Sequence, residues 1–264
     1  MASRFSRRDA LAIGCSGLAA NLFSGPASAT APTQNCPPLS IREIAPGVWV
    51  HTSWGIVESQ CIPANGMAFV GEDRVFLIDT AWTPEQTSEL LDLLRPMIAK
   101  SDLLNPRRIV NLFVSHGHAD RASGLSVTAE RGIPSYAFPR TMIEAARHNV
   151  GTITFALPDD RFAFDLGGRV VEVFYPGPGH TVDNAVVYDR TSKTLFGGCM
   201  VRALTATDLG NTIDADISQW SASVARAASR YPDAQIVVPG HGEPGDAALL
   251  THTQALIGAR TSRP

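Results

Sequence analysis

The sequence is poor in charged residues and in long runs of any one kind. Charged side chains make up 18% of the 264 residues, the net charge is -3, and no basic run follows residue 10. A chain without a basic patch is poorly suited to a polyanion, so we expect no nucleic-acid partner. Heptads, internal repeats and low-complexity tracts are missing, which argues against coiled-coil and repeat architectures. The 44% hydrophobic content favours one large globular domain, although the length would also allow two.

The longest apolar run lies near the N-terminus and is too short for a membrane span. Three arginines precede an apolar stretch at residues 10–23, and small residues follow at 27–29. This order predicts a removable signal peptide at residues 1–29 and a mature domain at residues 30–264. A membrane anchor is the alternative, but a bilayer core of about 30 Å needs a longer run. We therefore expect no stable membrane association.

The export route and the cysteines point to the same compartment. Arg7-Arg8 resembles a twin-arginine signal, although a Sec signal fits the stretch as well. Either signal predicts a periplasmic protein. Only four cysteines are present, and Cys15 leaves with the signal. Cys36 and Cys61 could pair in an oxidising compartment, but the sequence does not show whether they approach each other.

Short segments rich in β-branched and aromatic residues alternate with amphipathic segments. Three of them predict consecutive antiparallel strands (48–51, 66–70 and 74–78). Thr83 and Pro84, with Gln86 completing a capping box, predict the start of a helix after these strands. A strand–helix rhythm then continues to about residue 257. The pattern predicts an α/β fold, an αβ/βα four-layer sandwich of two mixed β-sheets packed face to face with helices outside.

The segment that ends the apolar strand at residues 108–114 carries two imidazoles and a carboxylate. His116, His118 and Asp120 alternate with small residues. On extended backbone, side chains two residues apart point the same way. Imidazole nitrogen and carboxylate oxygen are ligands that zinc favours. A polar loop with structural histidines is the plainer explanation, but this spacing favours a metal site.

Three further segments also place a potential ligand after a strand. His180 lies on a Gly/Pro-rich turn, Cys199 follows two glycines, and His241 lies between two glycines. Alone, a cysteine is more often a small buried apolar residue and a histidine more often structural. Four such segments at strand ends favour one shared metal centre.

The motifs H-x-H-x-D, G-H-T-x-D-N, G-G-C and P-G-H-G, in this order, resemble the metallo-β-lactamase superfamily from about residue 48 onward. The cysteine narrows the resemblance to class B β-lactamases of the di-zinc subclass. Glyoxalase II and similar members usually have His after the Asp and Asp in place of the Cys, where this chain has Arg121 and Cys199. The resemblance implies two Zn²⁺ per subunit, one held by His116, His118 and His180 and the other by Asp120, Cys199 and His241.

The resemblance also implies a mechanism and residues around the substrate. Two zinc ions would activate a shared water that Asp120 orients, and attack on the β-lactam carbonyl would need no covalent acyl-enzyme. Asn211 would contact that carbonyl and Arg202 the substrate carboxylate; a turn asparagine and a surface cation are the alternatives. Residues 52–63 would form a hairpin flap in which Trp54 either covers the substrate or belongs to the core.

Two residues are expected to support the ligands from behind. Arg121 places a fixed cation beside the Asp-Cys-His set, which should weaken dication binding there unless a carboxylate engages it. We therefore predict a tight tri-histidine site and a looser second site. Asp79, directly after an apolar strand, is expected to be a supporting or structural carboxylate. Three histidines without a partnering motif are expected to be structural (His51, His148 and His252).

These features together predict an exported zinc hydrolase, a monomer whose small-molecule partner is a β-lactam antibiotic. One alternative is another di-metal hydrolase of the same fold, acting on a thioester, lactone or phosphodiester. A second is a non-catalytic zinc-binding protein, which would need a closed site, whereas six ligands for two ions leave coordination positions open.

Overall fold

A computed structural model describes residues 35–262 except 73, 99–107 and 159. Seven strands form the first sheet, in chain order: β1 (Ser40–Ala45), β2 (Val48–Val57), β3 (Gln60–Val70), β4 (Arg74–Ile78), β5 (Arg108–Phe113), β6 (Ser135–Ala137) and β7 (Phe155–Ala156). Neighbours are antiparallel from β1 to β4 and parallel from β4 to β7. The predicted hairpins and strand–helix units therefore belong to one mixed sheet.

Five strands form the second sheet in the order β12-β11-β10-β9-β8: β8 (Arg161–Asp165), β9 (Val170–Phe174), β10 (Val186–Asp189), β11 (Thr194–Gly198) and β12 (Ile236–Pro239). Only the β11–β12 pair is parallel. The helices are α1 (Pro84–Ile98), α2 (Ala119–Ala122), α3 (Leu125–Glu130), α4 (Pro139–Arg147), α5 (Ile217–Arg230) and α6 (Ala248–Thr261).

Three buried clusters hold these layers together. Between the sheets, Phe69 and Phe113 pack with Val173 and Phe196. On the outer face of the first sheet, a second cluster joins its strands to α1, α3 and α4 (Leu77, Leu90, Leu112, Leu125 and Ala145). On the outer face of the second sheet, a third cluster joins its strands to α5 and α6 (Val186, Leu195, Trp220, Val224 and Leu249). The predicted four-layer sandwich is confirmed. Within the described ranges, no helix has the length and apolar character needed to span a membrane.

The β2–β3 hairpin is longer than the sequence predicts. Its ten paired positions run from Val48 opposite Phe69 to Val57 opposite Gln60, so the segment expected between two strands is itself paired strand. The turn residues Glu58 and Ser59 have φ of 48° and 63°, as the tight type I′ turn requires. Ile56 and Val57 near the tip are 59% and 46% exposed.

A disulfide joins this hairpin to the segment before β1. Cys36 and Cys61 are bonded with their Cα atoms 5.4 Å apart. Cys61 lies opposite Ile56 in the hairpin, close to the exposed tip. The pairing that the sequence left open is therefore present, and it ties the outer end of the hairpin to the N-terminal segment.

The predicted cap of α1 is only half correct. The Gln86 amide donates to Thr83 Oγ1 at 3.2 Å, as an N-cap requires. The Gln86 side chain does not return to Thr83, however. Its carboxamide accepts from the Trp54 amide and donates to the Trp54 carbonyl, both at 2.8 Å. Two bonds to strand β2 replace the one bond of a capping box, and they tie α1 to the hairpin.

Candidate metal centre

The loop between β5 and α2 carries His116 and His118 and is fixed by two carboxylates. Asp79 accepts from the Ser115 amide at 2.7 Å and from its hydroxyl at 2.8 Å, all within the core. Asp183 accepts from the Gly117 amide at 2.9 Å. A Cβ on Gly117 would lie 2.5 Å from the Ala145 amide, so only glycine allows this approach to α4. Asp79 therefore lies where it was expected, behind the ligand loop.

Three imidazoles converge next to this loop. The ring centroids of His116, His118 and His180 lie 4.9, 5.2 and 5.1 Å apart in pairs. His180 Nε2 lies 3.3 Å from His118 Nδ1, and the buried Nε2 of His116 has no hydrogen-bond partner. Burial and the neighbouring His118 lower the pKa of His180 to about 3. The pKa of His116 is also well below its ordinary value for the same reasons. His116 and His180 are therefore neutral, the form that binds metal.

A carboxylate, a thiol and a fourth imidazole form a second group beside the first. Cys199 Sγ lies 3.6 Å from Asp120 Oδ2 and 3.2 Å from His241 Nε2, and the last two atoms are 3.4 Å apart. Bonds of about 2.0–2.3 Å at tetrahedral angles would separate the ligand atoms of one zinc ion by about 3.3–3.6 Å. The triangle therefore has the dimensions of a zinc site. Burial lowers the pKa of His241 to about 4, although Asp120 opposes the shift.

Glycines allow these ligands to meet. Cys199 follows β11 and His241 follows β12, two parallel neighbours whose carboxyl ends lie at one edge of the sheet. A Cβ on Gly240 would lie 2.6 Å from the Cys199 sulfur, so the close approach of the two strand ends requires glycine there. Gly198 has a φ of 54°, in the left-handed region that glycine tolerates.

Arg121 is completely buried and touches both the ligands and their supports. Its guanidinium lies 2.9 Å from Asp120 Oδ2, 2.9 Å from Cys199 Sγ and 3.5 Å from Asp79 Oδ2. It also donates to the carbonyls of Asn65 and Gly240. Burial raises the pKa of the Cys199 thiol, and the Arg121 cation partly offsets the rise. Arg121 therefore pairs with carboxylates. Under this condition its charge is not expected to weaken metal binding at the Asp-Cys-His site.

Arg202 and Asn211 lie on one loop near the ligands. The Arg202 side chain is only 17% exposed, and its Nε donates to the Asp208 carbonyl at 3.1 Å. The Arg202 guanidinium is therefore fixed by a hydrogen bond and is not a freely solvated surface cation. The side-chain Oδ1 of Asn211 accepts from the Ile213 amide at 3.1 Å, which is the turn role named as its alternative. Among the described residues, the amide nitrogen of Asn211 has no hydrogen-bond partner.

The structure does not place Trp54 at the ligands. Side chains alternate along β2, so Trp54 lies on the face opposite Gly55 and shares that face with Pro63. It lines a small pocket of about 120 Å³ with Arg42 and Glu243. Among the described residues no contact joins Trp54 to a ligand side chain, and its role over the substrate stays a prediction.

Trp82 is the aromatic residue that the prediction missed. It packs flat on the other face of the hairpin, where a Cβ on Gly55 would lie 2.1 Å from the indole. Its ring centroid is 6.2 Å from that of His241. Trp82 follows β4 by four residues, so the criterion that found the ligands, a chemically distinctive side chain after a strand end, would have identified it.

Asp214 and His148 were also missed as neighbours of the ligands. Asp214 Oδ2 lies 3.1 Å from His118 Nε2 and 3.6 Å from His148 Nε2. His148 was expected to be structural, but its ring centroid lies 4.9 Å from that of His118. The other two histidines bond backbone carbonyls, as a structural role requires: His51 contacts Ile78 and His252 contacts Ala206.

This chain is similar to known proteins. The family model of the metallo-β-lactamase superfamily matches residues 61–241. A type 2 metallo-β-lactamase of Bacillus cereus is 35% identical over 219 residues, 83% of this chain and 82% of that protein. A type 2 enzyme of Pseudomonas aeruginosa is 33% identical over 244 residues, 89% of this chain and 92% of that protein. The solved metallo-β-lactamase from Pontibacter korlensis superimposes with a TM-score of 0.76 at 38% identity, covering 83% of this chain and 99% of that one.

Proposed function

Since this chain belongs to the metallo-β-lactamase superfamily, we propose that it is a zinc-dependent β-lactamase of class B with two zinc ions per chain. One ion is held by His116, His118 and His180, and the other by Asp120, Cys199 and His241. The observation that carries this proposal is the triangle of Asp120, Cys199 and His241, with sides of 3.6, 3.2 and 3.4 Å. The thiol in that triangle separates β-lactamases from fold relatives such as glyoxalase II.

The donor set suits zinc. It combines neutral imidazoles, a carboxylate and a thiol, which are zinc's usual protein ligands, and three side chains for each ion leave a coordination position open. The unpartnered, buried Nε2 of His116 supports a ligand role, because a buried nitrogen without a partner is otherwise costly. Zinc bound there supplies a Lewis acid that polarises a carbonyl and lowers the pKa of water.

The residues of the chain then have separate tasks in opening the lactam ring. Asp120 accepts a hydrogen bond from the attacking water and orients it. Burial raises the pKa of Asp120, but Arg121, which contacts the carboxylate, and His241 lower it by a larger amount, so the carboxylate stays charged. Arg202 binds the substrate carboxylate through Nη1, since its Nε donates to the Asp208 carbonyl and its Nη2 lies 3.9 Å from Asp208 Oδ1. The Asn211 amide donates to the lactam carbonyl, and Trp82 forms an apolar wall beside His241.

We also propose that the mature protein acts in the periplasm after removal of residues 1–29, which lie outside the described residues. The basic, apolar and small-residue order of that segment supports export. The Cys36–Cys61 disulfide supports an oxidising compartment. Hydrolysis of β-lactams in that compartment would protect the cell from these antibiotics.

A substrate comparison tests the activity. The purified chain from residue 30 should hydrolyse a chromogenic cephalosporin, and Cys199→Ala should lower kcat/KM at least about 100-fold. The exposed variant Arg95→Ala serves as a control and should keep wild-type activity, because Arg95 pairs only with Asp92 on the surface of α1. Faster hydrolysis of lactoylglutathione than of any β-lactam would contradict the proposal and favour a thioesterase.

A further inference from the structure

Asp214 joins the tri-histidine set to two residues at the end of α4. One of its oxygens lies 3.1 Å from His118 Nε2, and the other lies 2.6 Å from Arg147 Nη2. His148, the C-cap of α4, brings its Nε2 to 3.6 Å from the first oxygen. The Asp214 side chain is only 9% exposed, whereas the Arg147 side chain that bonds it is 57% exposed.

The contact with His118 uses the nitrogen that faces away from the other ligands. His118 Nδ1 lies 3.3 Å from His180 Nε2, on the ligand side of the ring, and Asp214 takes the opposite nitrogen. A carboxylate on the far nitrogen fixes both the tautomer and the orientation of a metal-binding imidazole. The geometry therefore directs Nδ1 of His118 at the position between the three rings, and a hydrogen bond from Nε2 to Asp214 favours the tautomer whose Nδ1 can bind metal.

Asp214 is in turn held by the end of α4. Arg147 lies in the last turn of the helix, where a cation is favourable, and its guanidinium bridges Glu144 at 2.8 Å and Asp214 at 2.6 Å. His148 lies between the same two carboxylates, 3.8 Å from Glu144. The Asp214 carboxylate thus has fixed partners on both of its oxygens.

The segment that carries Asp214 also carries the proposed substrate residue Asn211. At one end of this segment, Arg202 bonds the Asp208 carbonyl, and at the other end Asp216 caps α5 by accepting from the Gln219 amide at 3.1 Å. Between these ends Leu209 is buried, whereas Ile213 is 84% accessible. Asp214 is the residue of this stretch whose side chain reaches the ligands.

We propose that Asp214 is a positioning residue that orients His118 and couples metal binding at the tri-histidine set to the order of the loop at residues 208–216, and that Arg147 holds Asp214 in place. The inference rests on the proposed function because it takes His118 to be a zinc ligand. Filling the tri-histidine set orders the Asn211 loop through the His118–Asp214 bond. Loss of that bond weakens metal binding and loosens the loop together.

Two variants and a matched control test the inference on the full mature chain. Asp214→Asn removes the charge on the His118 contact, and Arg147→Met removes the clamp. Arg140→Met is the control, since Arg140 belongs to the same helix and pairs with a carboxylate, Asp160, that does not reach the ligands. Cobalt(II) titration separates the two sites, because the thiolate charge-transfer band reports only the Cys199 site. Hydrogen exchange reports the loop.

We expect Asp214→Asn to weaken cobalt and zinc binding at the tri-histidine site by about 10- to 100-fold while the thiolate band still forms. Amides at residues 208–216 should exchange faster in this variant, and zinc should no longer slow them. Arg147→Met should shift both readouts in the same direction by a smaller factor, about 3- to 10-fold. Arg140→Met should match the wild type.

Wild-type metal affinity and wild-type loop exchange in Asp214→Asn would overturn the inference. A third zinc ion per chain that disappears in His148→Gln would also overturn it. Asp214 would then be a metal ligand together with His118 and His148. The possible ligand atoms of these three residues lie within 4.8 Å of one another. These outcomes differ from failure of the proposed function, in which the wild type itself binds no zinc or hydrolyses no β-lactam.

Discussion

At the scale of single residues, Arg121 decides how the buried charges around the ligands are balanced. Asp79 and Asp120 are both buried, and both contact this guanidinium, at 3.5 and 2.9 Å. Burial opposes the charge on Arg121, but Asp120, Cys199 and Asp79 outweigh that effect and raise its pKa. The cation is therefore permanent, whereas burial raises the pKa of Asp79 to about 7 although Arg121 opposes the rise.

Replacing Arg121 by Gln should reveal this balance in the metal-free protein. Two buried carboxylates would lose their partner, and breaking a buried pair in this way costs about 3–5 kcal/mol of unfolding free energy. Urea unfolding of the metal-free variant measures the loss. Arg95→Gln, which breaks an exposed pair, should cost no more than about 1 kcal/mol. Equal, small effects in the two variants would show that the network does not stabilise the fold.

His51 gives the metal-free protein a dependence on pH. Burial lowers its pKa from 6.5 to about 4, so between these values the unfolded chain binds a proton that the folded chain does not. Stability is therefore present above pH 6.5 and is lost as the pH falls toward 4. His180 and His241, with pKa values lowered to about 3 and about 4, act with the same sign.

Urea unfolding of the metal-free protein at several pH values between 4 and 7 tests this dependence. The slope of unfolding free energy against pH should fall in His51→Gln by up to about 1.4 kcal/mol per pH unit, the contribution of one proton. Gln can still donate to the Ile78 carbonyl, which His51 contacts at 3.2 Å. Parallel curves for the variant and the wild type would contradict the account.

At the scale of secondary-structure elements, the β2–β3 hairpin carries a covalent restraint. Its middle contacts the metal centre, because the Pro63 carbonyl bonds His241 Nδ1 and the Asn65 carbonyl bonds Arg121. Its tip exposes Ile56 and Val57, and the disulfide from Cys61 ties the outer face to Cys36. The disulfide therefore limits how far the tip can move relative to the ligands.

Replacing both cysteines by Ala should loosen the tip and leave the metal centre intact. A cross-link between residues 25 apart should contribute about 3–4 kcal/mol to stability. Amides at residues 55–62 should exchange faster in the double variant, and KM for bulky β-lactams should rise more than kcat falls. Zinc affinity should stay at the wild-type value. Unchanged exchange at the tip would show that the disulfide does not restrain the hairpin.

The sequence predicts secondary-structure elements and candidate ligands where the signal is local. The alternation in H-x-H-x-D and the glycines around Cys199 and His241 point to a metal site without knowledge of contacts between distant residues. The face on which Trp54 lies depends on the pairing of β2 with β3, which the sequence alone does not fix. Gln86 bonds a strand 32 residues away in place of its own helix start. Asp214 was missed because its partner, His118, is 96 residues away.

At the scale of the whole molecule, the two-sheet architecture is what assembles the site. His116 follows β5 of the first sheet, whereas Cys199 and His241 follow neighbouring strands of the second. Packing the sheets face to face brings these strand ends to one edge. The apolar core between the sheets lies behind the ligands. Four stretches distant in sequence can hold metal only when the whole sandwich is folded.

The central claim is that hydrolysis of β-lactams depends on metal held by these six side chains. The most direct measurement is the rate of chromogenic cephalosporin hydrolysis by the chelator-stripped mature chain during stepwise addition of zinc. We predict no measurable rate without metal, recovery that is complete at about two zinc ions per chain, and no recovery in His116→Ala. Full hydrolysis by the stripped protein, or recovery in the variant equal to that of the wild type, would contradict the account.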